Sequence, residues 1–249
     1  MEHPWLSDKL IAALRGATHI AALTGAGMSA ESGIATFRDP ETGLWSRFNP
    51  DELASPEGFA RDPAAVWAWY GERRRAMLAA EPNPGHLALA RLEQLAPRFT
   101  LITQNIDGLH RRAGSRDPLE IHGTIDRALC TRDGHAFERW DEGAAVPGCP
   151  ECGAPLRPDV VWFGESLPRE LLSRAQEAAF DCDVFLAIGT SGMVAPAASL
   201  PISARGLGAA LIEINPEPTP LTKHARFAIP AGAAAALPAL VAAAWPETA

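Results

Sequence analysis

Short apolar runs alternate along this chain with longer stretches whose apolar residues recur at helical spacing. Residues 20–23, 99–103, 184–188 and 209–214 are rich in Ile, Leu, Val, Ala and Phe, and each is closely followed by a Gly, Gln-Asn or Asn-Pro segment. Their length and flanks predict buried strands. Residues 6–15, 63–78, 86–95 and 168–180 carry the helical period, and 63–78 opens on Pro63, a residue suited to a first turn. Residues 119–122 and 160–163 read as two further short strands, and the Ala-rich 231–244 reads as a docking helix in spite of Pro238. Strands alternating with helices, with polar motifs at the strands' C-terminal ends, predict a parallel α/β sheet that binds its ligand above those ends.

Two segments interrupt this pattern. The first, 37–95, is loop-rich from 40 to 63 and then helical; the second, 127–157, is loop-rich and lies where three of the four cysteines fall. The expected architecture is a Rossmann-like sheet from 1–36, 96–126 and 158–249, with a smaller domain built from a helical insert and a cysteine insert. At 249 residues the chain can bury such a core. Its 47% hydrophobic and 21% charged residues are those of a soluble globular protein. The net charge of −8 argues against a nucleic-acid surface, although Arg73-Arg74-Arg75 is locally basic. No run of about 18 apolar residues predicts a membrane span, and the first residues lack the pattern of a signal peptide. Four cysteines without an export signal favour thiols or metal ligands over disulfides, and a cytoplasmic location.

The most informative stretch runs from Ile20 to Asp39. Gly25-Ala26-Gly27 follows the first strand, and Ala30 takes the third small position of a G-x-G-x-x-G/A turn, where a helix should open. That pattern suits a tight turn whose bare backbone admits a pyrophosphate at a helix N-terminus. Small-residue turns also arise for packing alone, so the continuation matters. Gly33 breaks the expected helix, and Phe37-Arg38 leads into a Pro-containing loop.

Taken with Thr103-Gln-Asn-Ile-Asp-Gly-Leu-His110, Glu120-Ile-His-Gly123 and Gly189-Thr-Ser191, the stretch resembles the sirtuins, NAD-dependent protein-lysine deacylases. The motifs stand in the family's order and span nearly the whole chain. Alone, His122 would be read as a structural histidine; the resemblance implies a general base that deprotonates a ribose hydroxyl, for which imidazole is well matched. Gln104, Asn105 and Asp107 would otherwise form an Asx-type turn. The resemblance implies that Asn105 and Asp107 hold the nicotinamide carboxamide and that Gln104 meets the ribose, with Ile106 in packing or backbone contact. The resemblance implies that Gly25, Ala26, Gly27, Glu31 and Ser32 belong to the cofactor loop. Phe37 would shield the reactive ribose carbon and Arg38 would contact the phosphate or ribose. Gly189, Thr190 and Ser191 match contacts to the adenosine half, Asn215, Pro216 and Glu217 match adenine-ribose contacts, and Ala233 lies near the last adenine contact.

The remaining features concern substrate and metal. Val160, Val161, Trp162, Phe163 and Gly164 would form a strand that pairs with an acylated-lysine peptide through backbone hydrogen bonds. Tyr70 and Arg73, three apart on a helix, share a face. Locally they read as core and solvated surface. The pair matches the class III sirtuins, which prefer succinyl-, malonyl- or glutaryl-lysine, and a phenol with a guanidinium can hold a carboxylate. Ala35-Thr36 replaces the Pro-Asp of many deacetylases and points the same way. Cys149-Pro-Glu-Cys152 and Cys130 resemble three-quarters of a structural Zn²⁺ site, with Asp133 where a fourth cysteine is expected. Asp133 or His135 could complete it, or the site could be weak or empty. Cys182 reads as a small buried hydrophobe. Other readings are a protein ADP-ribosyltransferase in the same cleft or a silent NAD-binding module; an ordinary dehydrogenase has no use for the Gln-Asn-Ile-Asp loop or the cysteine insert.

Overall fold

A computed structural model of the chain describes residues 3–36 and 49–246. The chain enters through α1 (Asp8–Gly16), where the Ser7 hydroxyl accepts the Leu10 N–H and so caps the first turn. It then passes into β1 (Ile20–Thr24), buried at every position. After the glycine turn come α2 (Gly27–Ala30) and, past the undescribed segment, α3 (Pro50–Leu53), α4 (Pro56–Arg61), α5 (Pro63–Ala79) and α6 (Pro84–Leu95). Each of α4, α5 and α6 starts Ser/Asp/Asn-Pro, with the polar side chain accepting a backbone N–H and Pro occupying a position that needs no donor. There follow β2 (Phe99–Thr103), α7 (Leu109–Arg112), β3 (Leu119–Glu120), β4 (Gly123–Cys130), β5 (Ala136–Phe137), β6 (Leu156–Val160), α8 (Arg169–Asp181), β7 (Val184–Ile188), α9 (Leu200–Gly206), β8 (Ala210–Ile214), β9 (Phe227–Ile229) and α10 (Ala233–Ala244).

Among the described residues these strands make two sheets. One has the order β3-β2-β1-β7-β8-β9, every neighbour parallel; the other is the antiparallel β5-β4-β6. The chain builds outward from β1 to β3 on one side and then returns to lay β7, β8 and β9 on the other. The strand order therefore reverses between β1 and β7, and a crevice forms above their C-terminal ends. The side-chain period of two sends Ile20 and Ala22 to one face with α1, α6 and α10, and Ala21 and Leu23 to the other with α8 and α9. A third core belongs to the other lobe. There Val66, Trp67, Tyr70 and Met77 of α5 pack on Ile125 and Ala128 of β4 and Leu156 of β6, and the Trp67 indole donates to the Leu156 carbonyl at 2.8 Å. Helix α6 packs its Ala88, Leu89 and Leu92 into the core of the large sheet.

Several local expectations change. The helix after the glycine turn opens at Gly27 and ends at Ala30, instead of opening at Ala30. Gly33, at φ +83°, and the Gly33 N–H to Ala30 bond terminate it. The strand expected over 119–122 is only the two residues of β3, because Ile121 and His122 turn the chain and Gly123, at φ +82°, starts β4 in the other sheet. The strand expected from 160 ends at Val160. Beyond it the Trp162 N–H is captured by the Glu165 carboxylate and the Phe163 N–H by the Ala54 carbonyl, so 161–164 form a turn. The cysteine segment, read as loop, carries β5 and β6 and the end of β4, a sheet whose short strands and register shift between Gly123 and Ala128 hide the alternation.

Candidate active site

The parallel ladder extends one residue past each central strand, so the loops above the sheet start from fixed points. Gly25 N–H donates to Ile188, Gln104 N–H to Thr24, Ile121 N–H to Thr103, Gly189 N–H to Ile214 and Asn215 N–H to Ile229. The predicted cofactor motifs thus meet above the C-terminal ends of the central strands. Gln104 donates from Nε2 to the Thr190 hydroxyl at 3.0 Å, Asn105 donates from Nδ2 to the Gly25 carbonyl at 3.0 Å, and Asn215 donates from Nδ2 to the Thr190 carbonyl at 3.1 Å. The glycines here are required by packing. A Cβ on Gly27 would lie 2.7 Å from the Gly189 Cα, and one on Gly25 would lie 2.8 Å from the Gly189 carbonyl oxygen. Only bare backbones let the β1 and β7 turns come this close.

His122 stands at the turn between β3 and β4. Its Nδ1 lies 3.1 Å from the Gln104 carbonyl oxygen, which can only accept, so Nδ1 carries the hydrogen and Nε2 keeps a lone pair. Burial lowers its pKa below the ordinary value of 6.5, with the Gln104 bond opposing that shift. A neutral imidazole with a basic Nε2 is the result.

Beneath Asn105 lies a polar network that the sequence reading left out of the site. Ser29 donates from Oγ to Asp107 Oδ2 at 2.7 Å and accepts from Asn105 Nδ2 at 3.1 Å. His86 Nδ1 accepts the Asn83 N–H at 3.3 Å, so its Nε2 carries the hydrogen and faces Ser29 Oγ at 3.4 Å. Asp107 Oδ1 accepts the Leu109 N–H at 2.9 Å. Burial raises the Asp107 pKa, and these two bonds pull against the shift. Nearby, Thr24 donates to Thr103 at 2.8 Å and accepts from His110 Nε2 at 2.9 Å. The signal available in sequence was the capping box Asn83-Pro-Gly-His86, which places a histidine at the end of α6 facing the motif loop.

Glu31 and Ala233 also meet. Ala233 starts α10 and is buried, and the Glu31 carboxylate accepts the Ala234 N–H at 2.8 Å, a negative charge at a helix N-terminus. Ser32 Oγ accepts from Asn83 Nδ2 at 3.1 Å. Ala26 lies at the N-cap of α2, Ser191 follows Thr190 at the rim of the crevice, and Pro216 and Glu217 are exposed after Asn215. Phe37 and Arg38 lie outside the described residues.

In the other lobe Tyr70 and Arg73 are both buried on the inner face of α5. The Arg73 guanidinium stands 4.7 Å from the Trp69 ring centre. Burial lowers the Arg73 pKa to about 10, with the nearby Asp107 carboxylate acting the other way. Burial raises Tyr70 to about 12, so its hydroxyl stays protonated. Val161 donates its N–H to the His122 carbonyl, Ile106 accepts the Ile125 N–H, Trp162 is buried, and Phe163 and Gly164 are exposed.

Cys130, Cys149 and Cys152 place their sulfurs within 4.8 Å of one another, with Cys130 and Cys152 at 3.5 Å. Two tight turns make this possible, one closed by Gly134 N–H to Cys130 and the other by Gly153 N–H to Cys149, both glycines at positive φ. Three soft donors this close suit one tetrahedral Zn²⁺. Neither Asp133 nor His135 joins the cluster. Asp133 contributes a backbone bond to Cys130, and His135 Nδ1 pairs with the exposed Glu151 at 3.0 Å. Cys182 is buried in the large-sheet core, its thiol pushed up to about 11 by burial.

A doubly wound parallel sheet whose switch-point crevice gathers Gly-Ala-Gly, Gln-Asn-Ile-Asp and Gly-Thr-Ser, with a second lobe carrying a three-cysteine cluster, defines a Rossmann-type protein of two lobes. The chain belongs to the Sir2 family, whose model matches residues 25–196. It is 48% identical over 244 residues to a protein of Methylococcus capsulatus named NAD-dependent protein deacylase, covering 94% of this chain and 96% of that one. A protein of the same name from Aeropyrum pernix is 54% identical over 220 residues, with 88% of each covered. Among solved structures, a Sir2 homologue complexed with NAD superposes with a TM-score of 0.92 at 44% identity, covering 98% of this chain and 96% of that one. A Sir2 protein bound to a deacetylated p53 peptide and 3′-O-acetyl-ADP-ribose superposes with a TM-score of 0.86 at 30% identity, covering 96% of this chain and 97% of that one.

Proposed function

We propose that this chain is an NAD-dependent protein-lysine deacylase that removes succinyl and malonyl groups in preference to acetyl. The reaction class rests on the relatives' shared name and on the site's composition. The acyl preference rests on one observation, the buried Tyr70 and Arg73 side by side on α5, with Arg73 within electrostatic reach of Asp107. A guanidinium held out of water is costly, and an acyl carboxylate arriving beside it offsets that cost. An acetyl group brings no such charge.

The bound dinucleotide would supply an electrophilic ribose carbon with nicotinamide as its leaving group. The chain's part is to orient and to move one proton. Asn105, its Nδ2 committed to Gly25 and Ser29, presents Oδ1 to the nicotinamide carboxamide, and Asp107 is held in place beside it by Ser29 and Leu109. Gln104, Gly189, Thr190 and Asn215 line the ribose and adenosine side, with Gly25, Ala26 and Gly27 under the phosphates. His122, with Nδ1–H fixed on the Gln104 carbonyl, takes a ribose hydroxyl proton at Nε2. The N–H groups of Val161, Trp162 and Phe163 are already bonded to His122, Glu165 and Ala54, so the peptide would meet the groups that remain on the Val160 to Gly164 turn, and keeping water out of the site prevents it from competing. Cys130, Cys149 and Cys152 would hold a structural zinc ion that ties the two turns of the second lobe together, the fourth position falling to Asp133 or His135 after a side-chain movement, or to water.

The test compares NAD-dependent removal of succinyl and acetyl groups from one lysine peptide by the wild type, Tyr70→Phe/Arg73→Met and His122→Tyr. Succinyl preference that collapses in the double variant, with no turnover by His122→Tyr, supports the reading. Preference for acetyl that ignores the double variant sinks the acyl assignment and leaves the deacylase. No turnover of either peptide by the wild type sinks both.

A further inference from the structure

Trp162 was expected to serve the peptide through its backbone, yet its side chain is buried and points to α5. Its indole Nε1–H donates to the Tyr70 hydroxyl oxygen at 3.0 Å. Indole nitrogen is a donor only, whereas a phenol has one hydrogen to give and lone pairs to accept with. With a lone pair engaged by Trp162, the single Tyr70 hydrogen is turned away from the indole. Burial keeps that hydrogen in place, since the phenol titrates only at about 12.

The indole is itself clamped. The Arg157 guanidinium lies 3.5 Å from the Trp162 ring centre, and Phe59 packs on the ring at 5.3 Å between centroids. Arg157 pairs with both Glu165 oxygens, at 2.5 and 2.9 Å, and donates to the Val160 carbonyl at 2.9 Å. Glu165 also accepts the Trp162 backbone N–H at 2.8 Å. The turn after β6 is therefore locked by a bidentate ion pair stacked on the ring that it positions.

We infer that Trp162 is a positioning residue for acyl specificity: its N–H fixes the Tyr70 hydroxyl as a hydrogen-bond donor toward the acyl carboxylate, and the Arg157–Glu165 pair holds the indole in that register. This rests on the acidic-acyl reading above and adds residues that no Tyr-x-x-Arg motif contains.

Trp162→Phe keeps a ring of similar shape and removes the donor. The expected result is a fall of about three- to tenfold in the ratio of succinyl to acetyl kcat/KM, the loss that a misdirected hydrogen bond brings. That fall disappears when the substitution is made in a Tyr70→Phe background. A second readout does not depend on turnover. Tyr70 is the chain's one tyrosine, so tyrosine labelled with ¹³C at Cζ gives one signal. That signal shifts in Trp162→Phe, and in the wild type it shifts on adding a succinyl-lysine peptide but not an acetyl-lysine peptide. An unchanged ratio, an equal cost in the Tyr70→Phe background, or a Cζ signal indifferent to Trp162 overturns the inference while leaving the acidic-acyl reading intact. Loss of succinyl preference in neither Tyr70→Phe nor Arg73→Met marks failure of the underlying reading, and the inference falls with it.

Discussion

Ser29 donates its hydroxyl hydrogen to Asp107 at 2.7 Å while receiving one from Asn105 at 3.1 Å, so one small side chain links the first glycine turn to two residues of the Gln-Asn-Ile-Asp loop. Its remaining neighbour, His86 at 3.4 Å, ties α6 into the same point. Ser29→Ala leaves a buried carboxylate oxygen short of a donor, a loss of about 1–3 kcal/mol. The expected outcome is a rise in the KM for NAD of roughly five- to 150-fold, together with a lowered Tm. Steady-state kinetics with NAD varied at saturating peptide checks it. An unchanged KM for NAD would mean that Ser29 serves packing alone.

The His122 imidazole must be neutral to accept a proton, and burial lowers its pKa below 6.5. The acid limb of kcat/KM is therefore expected below pH 6.5, with activity falling only as pH drops through the lowered value and flat from there to neutrality. A pH profile taken with NAD limiting reads the free enzyme directly. An acid limb above 6.5 would show that the working base is another group or that a neighbouring carboxylate raises this one.

The large sheet and most of its motifs were legible in the sequence because they obey local rules. Ile20–Thr24 and Val184–Ile188 are apolar without interruption since both faces are covered, and the capped starts Asp62-Pro63 and Asn83-Pro84 mark their helices. The second sheet was not legible. Strand β4 pairs with partners that lie beyond it in the chain by different distances, through a register shift, and carries Asp126 and Arg127 in mid-strand. The purpose of Gly27 was also hidden. Its neighbour Gly189 comes from a strand more than a hundred residues later, and only the fold shows that the two backbones touch. Likewise nothing local to Trp162 announces Tyr70 as its acceptor.

Buried histidines give the protein a dependence on acid that its carboxylates do not explain. Burial lowers the pKa of His86 to about 4 and of His110 to about 3, and lowers that of His19 as well. Their unfolded value is about 6.5. Stability is therefore whole above pH 6.5 and is lost as pH falls toward 4, because the unfolded chain takes up protons that the folded one refuses. His86 and His110 each contribute a slope of about 1.4 kcal/mol per pH unit in that window. Asp107 and Glu120, whose pKa values burial raises, work in the opposite direction. Urea denaturation at pH 7.5, 6.5 and 5.5 is expected to show the loss, and His110→Gln to flatten it by about one histidine's slope. A curve that is level from 7.5 to 5.5 would contradict the burial of these rings.

The cysteine cluster makes a prediction that separates structure from chemistry. Cys130 comes from the end of β4, whereas Cys149 and Cys152 flank a turn that leads into β6, so a shared ion would join two strands of the small sheet at their tip. Among the described residues that sheet has only three strands, one of them of two residues. Metal binding would then supply folding free energy to the lobe directly. One zinc per chain is expected by elemental analysis of the purified protein, with Cys149→Ser retaining much less. Chelation should lower the Tm of the second lobe, and near-ultraviolet circular dichroism of Trp67 and Trp140, which pack at 5.8 Å in the core that also holds the cysteines, should report it. His135 pairs with Glu151 instead of the sulfurs, so His135→Ala should leave the zinc content unchanged. Loss of zinc in His135→Ala would assign it as the fourth ligand, and loss in Asp133→Ala would assign the carboxylate.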